Sequence, residues 1–319
     1  MIHQKIELDD LNVPYVPNKK THKYDVYLND LKYKNKRNIN KNLANWMHPT
    51  YAEMFDNIEF DSIEYRIYEC IQSNGSVLDL SNMDLNEFPL NKIPNDLKQK
   101  IQYLFIQDNN LKTLSDLLDF HSLEVLDISH NHITKFNKLP PSLSELNCKY
   151  NELYMLPSYI ECPNLILLNC ENNKIKEMPQ YNLLKTVICG NNELEEILGL
   201  TAEKISCNNN KILSIEKCYN LIYLDCSNNP IHNLCDVDKL TDLIMNSTHI
   251  DILPNFKNLK YIEMFNTNIK CIQYFETLED LFINTNTTKK ISKLYKVNKE
   301  IIINMYKEKL IHFYFTIKI

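Results

Sequence analysis

Apolar residues return at one fixed spacing through the last three quarters of the chain. The clearest copies are Leu123-Leu126-Ile128-Ile133, Leu165-Leu168-Cys170-Ile175 and Leu221-Leu224-Cys226-Ile231. Two residues before the last apolar position of each copy stands an asparagine: Asn131, Asn173 and Asn229. The middle apolar positions alternate with polar ones, and a period of two predicts a short strand with one buried face. Such a strand cannot bury that face alone. Parallel copies stacked ~4.8 Å apart would make a continuous core and a ladder of backbone hydrogen bonds.

The column aligned on those asparagines reads Met83, Asn109, Asn131, Asn151, Asn173, Asn192, Asn210, Asn229, Thr248, Thr267 and Asn286. Successive intervals are 26, 22, 20, 22, 19, 18, 19, 19, 19 and 19 residues, so eleven copies stay in register. An amide side chain carries donors and an acceptor, which suits it to the backbone groups that a bend after a strand sets free. Asn109, Asn131, Asn151, Asn173, Asn192, Asn210 and Asn229 are therefore predicted to be structural. Thr248 and Thr267 can supply part of that bonding through a hydroxyl. Met83 can supply none, which fits an atypical first repeat.

These columns are similar to those of the leucine-rich-repeat superfamily, over about residues 76–288. Leu156-Pro157, Met178-Pro179, Leu253-Pro254 and Leu139-Pro140-Pro141 resemble the ending of its short bacterial-type repeats. The L-x-C-x-x-N variant, in a chain rich in Asn, Lys, Ile and Tyr, resembles leucine-rich-repeat proteins of amoebal giant DNA viruses. The resemblance implies an α/β-type repeat solenoid, a horseshoe with parallel strands on its concave face.

An open solenoid must cover its terminal cores. Ile63, Ile67, Cys70 and Ile71 share one helical face and Gly75 follows as a stop signal, which predicts an N-terminal cap helix within residues 61–75. Residues 289–319 lose the asparagine column. There, Ile291, Leu294, Val297 and Ile301 and the apolar stretch from His312 to Ile317 predict a C-terminal cap. Residues 1–60 form an Asn-rich extension with basic residues at Lys32, Lys34, Lys36, Arg37 and Lys41, and with Trp46, Tyr51 and Phe55.

Composition narrows the chemistry. Three isolated glycines, Gly75, Gly190 and Gly199, exclude a phosphate-cradling glycine loop. No nucleophile-elbow or zinc-protease motif occurs. His130 and His132 have no carboxylate or cysteine partner at ligand spacing. Five of the ten cysteines, Cys148, Cys170, Cys189, Cys207 and Cys226, occupy one core-facing column. One thiol per repeat cannot close a metal tetrahedron, so these are predicted to be small buried hydrophobes. No cofactor or metal is expected, and no enzymatic activity. The first residues carry no apolar run and no stretch is long enough to span a membrane, which points to an intracellular, reducing compartment (host cytoplasm for a viral protein). Asn makes up about one residue in eight, a bias resembling that of an AT-rich coding genome.

The same register sorts the exposed positions. Acids in the predicted concave positions are Asp79, Asp108, Asp127, Glu145, Glu171, Asp225, Asp242, Glu263 and Asp280, against Lys149 and Lys204. Nine to two exceeds the whole-chain balance of 41 to 35. The predicted partner-binding residues are Tyr103, Phe105, Asp127, Glu145, Asn147, Asn169, Tyr223, Asp225, Asp242, Tyr261, Glu263 and Phe265. Exposed aromatics beside charge are typical interface anchors. The sequence thus favours a protein-interaction scaffold for a basic protein or peptide. An adaptor or substrate-recognition subunit of a ubiquitin-ligase-type enzyme is an alternative, since some bacterial-type repeats precede a ligase domain. Only about 30 residues follow the last repeat here. Nucleic-acid binding through the basic N-terminal run is another, opposed by the acidic face and the net charge of -6.

Overall fold

A computed structural model describes residues 62–234, 237–269, 275 and 277–282. The expected extension (1–60) and C-terminal cap (289–319) lie outside the described residues. The chain enters through helix α1, Ile63–Gln72. Ser62 caps its start by accepting from the Tyr65 amide at 3.1 Å. Its end is closed by the Gly75 amide, which donates to the Cys70 carbonyl at 2.8 Å with Gly75 at a φ of 73°. Ile67 and Cys70 are buried and Ile63 and Ile71 pack beside them, so the helix lays its apolar face over the first strand.

Eleven strands then stack in one parallel sheet. In order across it they are β1 (Val77–Asp79), β2 (Tyr103–Phe105), β3 (Val125–Asp127), β4 (Glu145–Asn147), β5 (Leu167–Asn169), β6 (Thr186–Ile188), β8 (Lys204–Ser206), β10 (Tyr223–Asp225), β12 (Asp242–Ile244), β13 (Tyr261–Glu263) and β14 (Asp280–Phe282). Each strand is three residues long, and its central residue packs into the core: Leu104, Leu126, Leu146, Leu168, Val187, Ile205 and Leu224 are all buried. Before β2 the chain makes a 3₁₀ turn, Leu90–Lys92, and a short helix α2, Asn95–Lys98. A second parallel sheet, which the repeat pattern does not predict, forms across the core from β7 (Glu196–Leu198), β9 (Ser214–Glu216) and β11 (Asn233–Leu234). It arises where the repeat shortens to 18 and 19 residues. There, Ile197 and Ile215 turn inward as strand centres.

The asparagine ladder is the repeat's main polar joint. The Asn192 amide donates to the carbonyls of Cys170 (2.9 Å) and Cys189 (3.1 Å), and its oxygen accepts from the Ile175 amide (3.0 Å). Asn131, Asn151, Asn173, Asn210 and Asn229 make the same bonds to two groups in the preceding repeat, and each donates to two carbonyls of its own. Asn109 does likewise, binding the Leu80 and Ile106 carbonyls and accepting from the amides of Met83 and Leu85. The first repeat, with Met83 in the column, is thus tied by the second repeat's asparagine. Thr248 bonds only its own repeat, at the Met245 carbonyl (2.9 Å).

Two further columns explain residues that the pattern left unread. The residue before each asparagine-column position takes a left-handed conformation, with φ of 53–57° in ten successive copies from Asn82 to Asn266. Asn and Asp tolerate that region better than other side-chain-bearing residues, so Asn172, Asn191, Asn209, Asn228 and Asn266 sit there for a conformational reason. Part of the chain's asparagine content is therefore structural rather than a compositional bias. A second polar ladder runs along the opposite edge, one residue before each repeat's first apolar position. Ser122, Ser142, Asn164 and Thr277 donate to carbonyls of the preceding repeat at 2.7–2.9 Å.

The cysteine column faces the core as predicted. Cys148, Cys170, Cys189, Cys207 and Cys226 are buried, and all eight described cysteines are free. Burial pushes every thiol in this column well above its ordinary pKa, so the thiolate is suppressed.

Candidate functional site

Strand flanks, pointing away from the core, build two rows across the concave sheet. One row runs Lys204, Tyr223, Asp242, Tyr261, Asp280, and the other Ser206, Asp225, Ile244, Glu263, Phe282, each pair in direct register. Earlier in the sheet the rows carry Tyr103, Val125, Glu145 and Phe105, Asp127, Asn147. Register therefore brings the predicted strand residues onto one surface, while Phe265 lies in the turn after β13.

Their exposure differs from the expectation. Tyr103, Asp127, Glu145, Asn147, Asp242, Tyr261, Glu263 and Phe265 are half-buried. Phe105, Asn169, Tyr223 and Asp225 are only 3, 6, 7 and 7% exposed, which corrects the reading of these strand flanks as open. A side chain in such a row has neighbours one strand spacing away on either side. Phe105 lies between Asp79 and Asp127, and Asn169 between Asn147 and Ile188.

The carboxylates are held mainly by neutral donors, and Asp79 in addition faces the Arg66 guanidinium at 3.9 Å. Asp127 accepts from the Ser129 amide (2.9 Å) and hydroxyl (2.6 Å) and from the Asn147 amide group (2.8 Å). Asp79 makes the same Ser81 contacts, and Asp225 accepts from the Ser227 amide at 3.0 Å. This recurrent Asp-x-Ser unit pins the carboxylate to its own strand end. Glu263 accepts from the Tyr261 hydroxyl at 2.9 Å and from Asn246. The Asn246 oxygen accepts in turn from the Phe265 amide. Burial raises the pKa of Asp127 and Asp225 above the usual carboxylate range, against the pull of their serine hydrogen bonds. Glu145 is pushed up to about 7, first by burial and then by the neighbouring Glu124. Glu124 had no place in the sequence-predicted surface because it lies one residue outside the strand.

Basic residues are sparse here. Lys149 lies 6.0 Å from the centre of the Tyr150 ring, whose other neighbour is the His130 ring, stacked at 4.5 Å. Among the described residues no group of three His, Cys, Asp or Glu side chains is placed to hold a metal ion. Among them, too, no helix is long and apolar enough to cross a membrane.

Parallel strands on one face, an asparagine ladder at their ends and a helical N-terminal cap define a leucine-rich-repeat solenoid, and the solved structures similar to this chain share that fold. The leucine-rich effector protein YopM from Yersinia pestis is 22% identical with a TM-score of 0.56, covering 81% of this chain and 81% of that one. YopM from Yersinia enterocolitica is 22% identical with a TM-score of 0.54, over 82% of this chain and 59% of that one. The leucine-rich-repeat domain of APL1B is 16% identical with a TM-score of 0.58, over 72% and 75%. Among curated proteins, Toll-like receptor 2 of Equus caballus is 34% identical over 111 residues, which is 34% of this chain and 13% of the receptor. Toll-like receptor 2 type-1 of Gallus gallus is 32% identical over 89 residues, 27% of this chain and 11% of the receptor. The match thus spans about an eighth of the length of the curated relatives. No family model matches the chain.

Proposed function

We propose that this protein is a non-enzymatic interaction scaffold that holds a basic protein or peptide segment along its concave sheet. The observation that carries the reading is charge sorting by register. The strand flanks and the turns beside them gather nine carboxylates against two lysines, in a chain whose overall balance is 41 to 35. Aromatic side chains lie among them: Tyr103 toward one end, Tyr261, Phe265 and Phe282 toward the other. A solenoid offers an extended surface of this kind, and complementary charge steers a partner of opposite sign onto it.

The test is binding of a fluorescein-labelled basic peptide, followed by anisotropy at increasing salt. Affinity should fall steadily with ionic strength, since the contacts are screened. Reversing Glu145, Glu171 and Asp280 together to lysine should weaken binding at least tenfold while circular dichroism is unchanged. Equal affinity for the reversed and natural proteins would show that the face is wrong.

A further inference from the structure

The concave sheet contains a buried polar atom that no described residue satisfies, the hydroxyl of Tyr223. Tyr223 is 7% exposed, and its hydroxyl is buried without a hydrogen-bond partner. Buried tyrosine hydroxyls ordinarily find one, because an unpaired buried polar group is costly. What surrounds this one is acidic. Asp242 is its direct neighbour on the next strand, Asp225 lies two residues along its own strand on the same face, and Glu263 stands two strands away in the Asp225 row, past Ile244. Burial pushes the pKa of the Tyr223 hydroxyl upward, and the charges of all three carboxylates add to it.

Each carboxylate is already oriented. Asp225 accepts from the Ser227 amide, Asp242 from the Thr241 hydroxyl, and Glu263 from Tyr261 and Asn246. These donors are neutral, and none of the three carboxylates has an ion-pair partner among the described residues. The basic residue in these rows is Lys204, on the far side of Tyr223 from Asp242. Three fixed carboxylates and an unsatisfied hydroxyl form a preorganised acceptor set without a cationic donor among the described residues.

We propose that this pocket receives the guanidinium of an arginine from the partner. Two features select that group. The carboxylates do not converge closely enough to hold a metal ion, whereas a planar guanidinium offers five divergent N–H donors to spread-out acceptors. Tyr223 and Tyr261 also flank Asp242 in its row, one on each side. Guanidinium groups stack on aromatic faces more readily than ammonium groups. The Tyr223 hydroxyl accepts one N–H and the carboxylates neutralise the charge. This inference rests on the reading of the concave face as a site for basic partners, and names the residue that anchors them.

Tyr223→Phe separates the pocket from the fold, because it deletes one oxygen and keeps the ring. In the free protein the substitution should raise the melting temperature, since it removes an unsatisfied buried group. The probe is a labelled dodecapeptide of Gly, Ser and four arginines, with a lysine counterpart of equal charge. The natural protein should bind the arginine peptide at least tenfold more tightly than the lysine peptide. Tyr223→Phe, and independently Asp242→Asn, should each lower affinity for the arginine peptide about tenfold or more, the effect of a lost charge-assisted hydrogen bond. If the arginine peptide binds, and Tyr223→Phe and Asp242→Asn leave its affinity within twofold, the pocket is refuted and the broader basic-partner reading stands. Equal binding of the two peptides would also refute it. Binding of neither peptide would overturn both readings.

Discussion

Removing one rung of the asparagine ladder should cost more than any surface substitution, and the structure sets the amount. Asn192 is 8% exposed and bridges two repeats. In Asn192→Ala the Ile175 amide loses the acceptor it meets at 3.0 Å and is left buried and unpaired, a loss of ~1–3 kcal/mol. The Cys170 and Cys189 carbonyls keep a second donor, Asn173 and Asn210 respectively, so each forfeits only a net ~0.5–1 kcal/mol. The sum is roughly 2–5 kcal/mol, a large share of the ~5–15 kcal/mol of a typical domain. Asn192→Thr should cost somewhat less, roughly 1.5–4 kcal/mol, because a hydroxyl retains only the bond within its own repeat, as Thr248 does. Urea unfolding followed by circular dichroism measures the total, and amide hydrogen exchange at Ile175 measures the orphaned group. A loss under ~1 kcal/mol for the alanine variant, or unchanged exchange at Ile175, would refute the ladder's assigned role.

Two other outcomes follow from the same structure. Thr248→Asn should stabilise the protein by ~1–2 kcal/mol in urea, by adding the cross-repeat bonds toward the Cys226 carbonyl and the Ile231 amide that the other rungs make; a neutral or destabilising result would show that the last repeats pack differently. Glu145 has a folded pKa of about 7, above the ordinary 4.5. Its protonated form therefore favours the folded state. That contribution is fully present below pH ~4.5 and is lost as pH rises through about 7. Glu145→Gln should thus raise the melting temperature at pH 8, leave it nearly unchanged at pH 4 and flatten the profile between.

The repeat was legible in the sequence because it is a one-dimensional code. A strand centre such as Leu126, a cysteine such as Cys170 and a ladder residue such as Asn131 each have an environment set by their place in the period. Backbone conformation was less legible. The asparagines at 172, 191 and 209 stand in plain sight, but a left-handed φ is a property of the turn and leaves no apolar mark. Ser122, Ser142 and Thr277 precede their repeats' first leucines at a fixed place, yet small polar residues are common enough in loops to pass unnoticed. Exposure was least legible. Whether Tyr223 or Phe105 is open depends on what stands beside it on adjacent strands, so one repeat's sequence does not contain the answer. The unsatisfied hydroxyl of Tyr223 could be found only in three dimensions.

The central claim is that partners bind the concave sheet through its carboxylates. Carbodiimide footprinting, read by mass spectrometry with and without the bound arginine peptide, tests it most directly. The account predicts protection at Glu145, Asp242, Glu263 and Asp280, with no change at Glu177 and Glu195 outside the concave strands. Protection at Glu177 and Glu195, with the concave carboxylates equally reactive in both states, would contradict it.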